Sequence, residues 1–72
     1  MSISYNKLWK LLIDKNIKKV ELRDRTKMGT TTLSKLSRNQ RVSMEVLEKI
    51  CDELDCNFSD IVDYVKEVQH EK

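Results

Sequence analysis

Residues 27–43, KMGTTTLSKLSRNQRVS, gather hydroxyls, amides and cations around very little apolar surface. Three consecutive threonines are poor helix formers, yet Leu33 and Leu36 behind them stand at helical spacing. If both leucines turn inward, Thr30, Thr31, Ser34, Lys35 and Arg38 share the outer side of a short helix. Such a face is either a loosely packed piece of surface or a row of hydrogen-bonding groups meant to touch a polar partner. Two local features already divide these roles. Hydroxyls at a helix start compete well for free backbone N–H groups, and Thr32, nearer the inner edge, fits that capping or packing role.

Residues suited to catalysis are scarce. The single histidine, His70, sits in a polar tail. There is no glycine-rich phosphate loop and no evident pair of carboxylates in a cleft, so an enzyme is not expected. Cys51 and Cys56 are too few for a disulfide framework. Five residues apart, they are expected on different faces, as small core residues rather than as a bridge or a zinc site. No cofactor, metal or small-molecule ligand is expected.

The elements that would position the polar face are helical. A chain of 72 residues with no proline, a single glycine and many charged helix formers reads as one small all-α domain. No window approaches the roughly 18 apolar residues of a membrane span. The start, MSISYNKLWK, lacks a long apolar core, so a cytoplasmic protein is expected. The net charge of +2 hides an asymmetry: residues 1–42 carry eleven Lys/Arg against three acids, and residues 43–72 three against nine. A basic half opposite an acidic half makes a dipolar field that orients a protein towards a polyanion.

Ser4 is expected to cap a first helix with Tyr5, Leu8, Leu12 and Ile13 along one stripe, fading near Lys15–Asn16 before Ile17 enters the core. Trp9 and Tyr5 read as core packing of that helix. A second helix, about residues 19–26, carries Val20 and Leu22 inward. Lys27-Met28-Gly29 forms a turn, a third helix covers about residues 30–37, and Arg38–Val42 is a polar loop. Ser43 caps a fourth helix, with Val42 packing on Leu47 and with Leu47, Ile50, Cys51 and Leu54 at i, i+3, i+4, i+7. Asn57, with Asp60 reaching back, is expected to cap a fifth helix striped by Ile61, Val62, Val65 and Val68. The domain would then span residues 1–68, with 69–72 as a tail. Two short helices joined by a tight turn, the second polar on its outer face, are laid out as a helix-turn-helix.

The stretch VELRDRTKMGTTTLSKLSRNQRVSMEVLEKICDELDCNFSDIVDYV resembles the Cro/cI-type (XRE) helix-turn-helix family, and ISYNKLWKLL at the front extends the likeness over about residues 3–65. Residues 43–62 are similar to that family's fourth and fifth helices. The resemblance implies a compact five-helix, lambda-repressor-like fold, operator DNA as partner and frequent dimerisation. Two residues depart from the family pattern. Lys27 stands where glycine usually opens the turn, and a left-handed backbone there costs a non-glycine residue about 1–2 kcal/mol. Arg23 follows the leucine of the second helix where a small residue is usual, and must route its side chain out past the third.

In that family the start of the third helix enters the major groove. Carried over residue by residue, Thr30, Thr31, Ser34 and Lys35 are the candidates for base contacts. A threonine offers a hydroxyl and a methyl that packs on thymine, and a lysine donates to guanine O6/N7. Lys18, Lys19, Lys27, Arg38, Asn39 and Arg41 are candidates for phosphate contacts, which fix register without reading sequence. Tyr64, Val65 and Val68 are candidates for a dimer interface. The function implied is a sequence-specific, homodimeric transcriptional regulator, a repressor in the simplest case. The competing reading is a protein-binding antirepressor or antitoxin module on the same fold, engaging a partner through Glu45, Glu48, Asp52, Glu53 and Asp55.

Overall fold

The structure, a computed structural model, describes residues 2–66. In chain order the elements are β1 (Ser2–Ser4), α1 (Asn6–Lys15), α2 (Lys19–Thr26), α3 (Thr30–Ser37), α4 (Met44–Leu54), a single 3₁₀ turn (Phe58–Asp60) and β2 (Asp63–Val65). Among these elements no helix is long and apolar enough to cross a membrane.

The four helices stand where periodicity places them, and the expected cap of the fourth forms. In α4 the Ser43 hydroxyl accepts from the Val46 N–H at 3.3 Å, and Leu47, Ile50 and Leu54 are buried as its stripe requires. Tyr5, Leu8, Leu12, Leu22, Leu36 and Ile61 complete a core whose members, apart from Leu47, are no more than 2% exposed. Val42 packs at its margin. The helices α2 and α3 are short enough to be marginal alone. Leu22 and Leu36 hold them to the core, and the turn between them is closed by Lys27 in the left-handed region at φ 59°. The left-handed backbone that the start of the turn demands is therefore adopted by a lysine, with the turn's glycine two residues later.

Two inward assignments fail. Ile13 is 76% and Val20 53% exposed, because Leu12 and Leu22 already fill the core positions on their helices. Ser4 ends β1, and Tyr5 takes the N-cap position of α1, although the Ser4 hydroxyl still accepts from the Asn6 N–H at 3.2 Å.

The all-α, five-helix expectation is corrected by the C-terminal segment. Asn57 and Asp60 pair as a capping signal should, the Asp60 carboxylate accepting from the Asn57 N–H at 2.9 Å, but the helix they begin is one 3₁₀ turn. Ile61 then drops into the core and the chain extends into β2, antiparallel to β1 with Ser2 opposite Val65, Ile3 opposite Tyr64 and Ser4 opposite Asp63. A run of β-branched and aromatic residues favours the extended state. The hydrogen-bonding partner that secures it lies at the far end of the chain. Lys7 ties the two ends further, donating to the Ser59 carbonyl at 3.3 Å and approaching Asp63 at 3.9 Å. Val68, His70 and the expected tail lie outside the described residues.

Candidate nucleic-acid interface

The helix α3 presents the expected face. Thr30, Thr31 and Lys35 are exposed, Thr32, Leu33 and Ser34 are half-buried and Leu36 is buried. Its N-cap is Gly29, whose backbone is extended at φ −78°, so neither a left-handed conformation nor crowding requires glycine there; a Cβ would meet nothing within 4 Å. With no capping side chain, the N–H groups of the first turn are left to whatever approaches. The second helix begins the same way, at Lys18, without a side-chain cap. An anion suits both places, because the free N–H groups and the helix dipole act together.

The cations around α3 differ in freedom. Lys18, Lys27 and Arg41 are exposed. Lys19 is held over the Trp9 ring with its Nζ 4.3 Å from the centroid, a cation–π contact that fixes where its charge lies. Arg38 is also held: its Nη2 donates to Ser34 Oγ at 2.7 Å. Arg25 turns away from this surface, bridging Glu21 at 2.8 Å and Glu53 at 3.7 Å and so linking α2 to α4. Arg23, the departure in α2, is half-buried and reaches Asp24 at 3.4 Å.

The loop after α3 is pinned by a residue that the sequence marked for packing alone. Tyr5 is buried, its Oη donates to the Gln40 carbonyl at 2.8 Å, and its N–H donates to Asn39 Oδ1 at 3.1 Å. Burial raises the phenol's pKa above its ordinary value, and a hydrogen bond from the Val42 backbone pulls the other way. Asn39 itself is left-handed at φ 57°. Its carbonyl oxygen is thus committed to the fold, and its NH₂ group is what it can still offer a phosphate. The signal that could have found Tyr5 is faint, since its partners lie 34 and 35 residues away.

The other candidates lie elsewhere. Tyr64 and Val65 stand exposed on β2, at 59% and 44%. Tyr64 shares a shallow cleft of about 380 Å³ with Ser2, Ile3, Asn39, Gln40 and Arg41, which brings β2 beside the loop that follows α3. The acidic Glu45, Glu48, Asp52, Glu53 and Asp55 are exposed on and just after α4. Cys51 and Cys56 do not point apart as expected. Asp55, left-handed at φ 53°, turns the chain back so that the Cys56 N–H donates to the Cys51 carbonyl at 3.1 Å, and both cysteines line one shallow cleft. Burial, with Cys51 and Asp60 adding to it, pushes the Cys56 thiol up to about 11, which keeps it protonated and poorly nucleophilic at neutral pH. Among the described residues no cluster of side chains suits a metal ion.

A family model described as the Cro/C1-type HTH DNA-binding domain matches residues 7–67. The crystal structure of transcriptional regulator VanUg, Form II, is similar to this chain with a TM-score of 0.89 and 48% identity, over 92% of this chain and 88% of that one. No curated protein matches it.

Proposed function

The chain belongs to the Cro/C1-type helix-turn-helix DNA-binding family, and on that premise we propose that it is a sequence-specific transcriptional regulator reading an operator with α3. The observation that carries this reading is the outer face of α3. Thr30, Thr31, Ser34 and Lys35 point away from a core anchored by Leu36, and the helix start is left without a capping side chain. On this reading Thr30, Thr31, Ser34 and Lys35 meet base edges in the major groove. Phosphates are met by Lys18 and Lys19 at the start of α2, by Lys27 in the turn, and by Asn39 and Arg41 beyond α3.

We further propose that two copies act together through β2, with Tyr64 and Val65 in the contact, on a two-fold symmetric site. Their recognition helices would then sit one turn of DNA apart, roughly 34–36 Å. Occupancy of a promoter by such a dimer excludes polymerase, which makes repression the simplest outcome.

Selection of bound duplexes from a randomised pool, with wild type and Lys35→Ala in parallel, tests the proposal. The expected result is a short symmetric motif for wild type and relaxed preference at one position per half-site in the variant, worth about 1–3 kcal/mol. No enrichment at moderate salt would reject sequence-specific reading and direct attention to a protein partner for the acidic residues of α4.

A further inference from the structure

The Arg38 side chain does not run out beyond the end of α3. Its Nη2 donates to Ser34 Oγ at 2.7 Å, so the guanidinium is folded back by about one helical turn, ~5 Å, from its own Cα. That places it over the face carrying Thr30, Thr31 and Ser34, not at the end of the helix where a phosphate contact was expected. The backbone is fixed as well: the Arg38 N–H is shared between the Ser34 and Lys35 carbonyls at 3.1 Å each. Among the described residues Arg38 joins no ion pair.

The chemistry of the pair is one-sided. A guanidinium has five N–H donors in a rigid fork and no acceptor. Ser34 engages one of its nitrogens, and among the described residues the remaining side-chain donors have no partner. The Ser34 hydroxyl, having accepted from Arg38, keeps its own hydrogen to donate. Both groups therefore present donors to whatever lies opposite. In the major groove guanine answers with two adjacent acceptors, O6 and N7, whereas the amino groups of cytosine and adenine set donor against donor. We propose that Arg38, aimed by Ser34, reads a guanine edge, so that the two residues form one specificity-determining unit with Ser34 as the positioning residue. The inference rests on α3 being the groove-reading helix.

The test is duplex selection with the full chain as wild type, Arg38→Ala, Arg38→Lys and Ser34→Ala, followed by salt titrations on the selected wild-type site. Melting temperatures of all four proteins check that each is folded. Wild type should select guanine at one fixed position per half-site. Arg38→Ala should lose about 10- to 100-fold of preference there and nowhere else. Arg38→Lys should keep the salt dependence but lose most of that preference, because a lysine cannot supply the fork. Ser34→Ala, with every charge intact, should weaken preference at the same position. The inference is overturned if both Arg38 variants keep the wild-type motif while Arg38→Ala weakens binding to all sequences alike and lowers the salt slope by about 1. Absence of any motif for wild type would overturn the groove reading itself, and this inference with it.

Discussion

Tyr5 shows how one side chain can hold a surface it does not belong to. Its ring is buried in the core, while its hydroxyl and N–H reach Gln40 and Asn39 in the loop behind α3. Removing the hydroxyl deletes a part-buried hydrogen bond to the exposed residue Gln40, where water can reach the carbonyl, so the cost is that of an ordinary hydrogen bond, about 0.5–1.5 kcal/mol. Tyr5→Phe should therefore lower the unfolding free energy by an amount in that range, read as a lower urea midpoint at unchanged slope. The hydroxyl also gives the protein a pH signature. Folding raises the phenol's pKa above 10.0, the value it has when exposed. The folded state then holds the proton more tightly than the unfolded one. This contribution is fully present below pH 10 and is lost as pH rises through the folded value. Wild type should lose stability relative to Tyr5→Phe on alkaline titration, read as converging urea midpoints. Residue type alone was enough to place Tyr5 in the core. The destination of its hydroxyl was not legible, because it depends on where a loop 35 residues away comes to rest.

At the scale of elements, the four helices end alike. Asn16 closes α1, Lys27 closes α2, Asn39 follows α3 and Asp55 closes α4, all left-handed with φ between 53° and 59° and none of them glycine. Asparagine and aspartate tolerate this region; lysine gains nothing there. Lys27→Gly should relieve about 1–2 kcal/mol of backbone strain, offset in part by the greater chain entropy of glycine, roughly 0.5–1 kcal/mol. A net stabilisation of up to about 1.5 kcal/mol should appear in thermal or urea unfolding, together with weaker DNA binding from the lost charge. These helices were legible because their signals are local: the Ser43 cap, the spacing of Leu47, Ile50 and Leu54, and Leu36 in α3, whose companion Leu33 at helical spacing is only half-buried and stays outside the core. The outer face of α3 followed from the same spacing. The last element was not legible. Ile61, Val62 and Val65 fit a helical stripe, but only Val65 lies in the strand that ends the fold, and that strand is decided by Ser2–Ser4 pairing with Asp63–Val65 across the whole chain. Nor could spacing show that Asp55 folds Cys56 back onto Cys51.

Across the whole molecule, charge sets the range over which DNA is felt. The basic first half and acidic second half orient the domain, and the slope of log affinity against log salt measures how many phosphates it neutralises, near −0.9 for each. Lys18 is exposed at the start of α2. Lys18→Ala should therefore reduce the magnitude of that slope by about 1 while leaving the preferred sequence unchanged. Lys19, already seated on Trp9, is a fixed point charge, so Trp9→Leu should release it without abolishing its contribution to the slope.

The cleft lined by Ser2, Ile3, Asn39, Gln40, Arg41 and Tyr64 has a thermodynamic consequence. One of its walls belongs to the strand proposed to meet a second copy, and the other to the loop proposed to grip the DNA backbone. Two binding events that share a wall are not independent. If assembly on β2 stiffens that loop, then by linkage whatever factor association contributes to DNA affinity, DNA must return to association. The operator would then act as a ligand that completes the dimer, and the protein's response to its own concentration would be steeper on DNA than the free dimerisation constant implies.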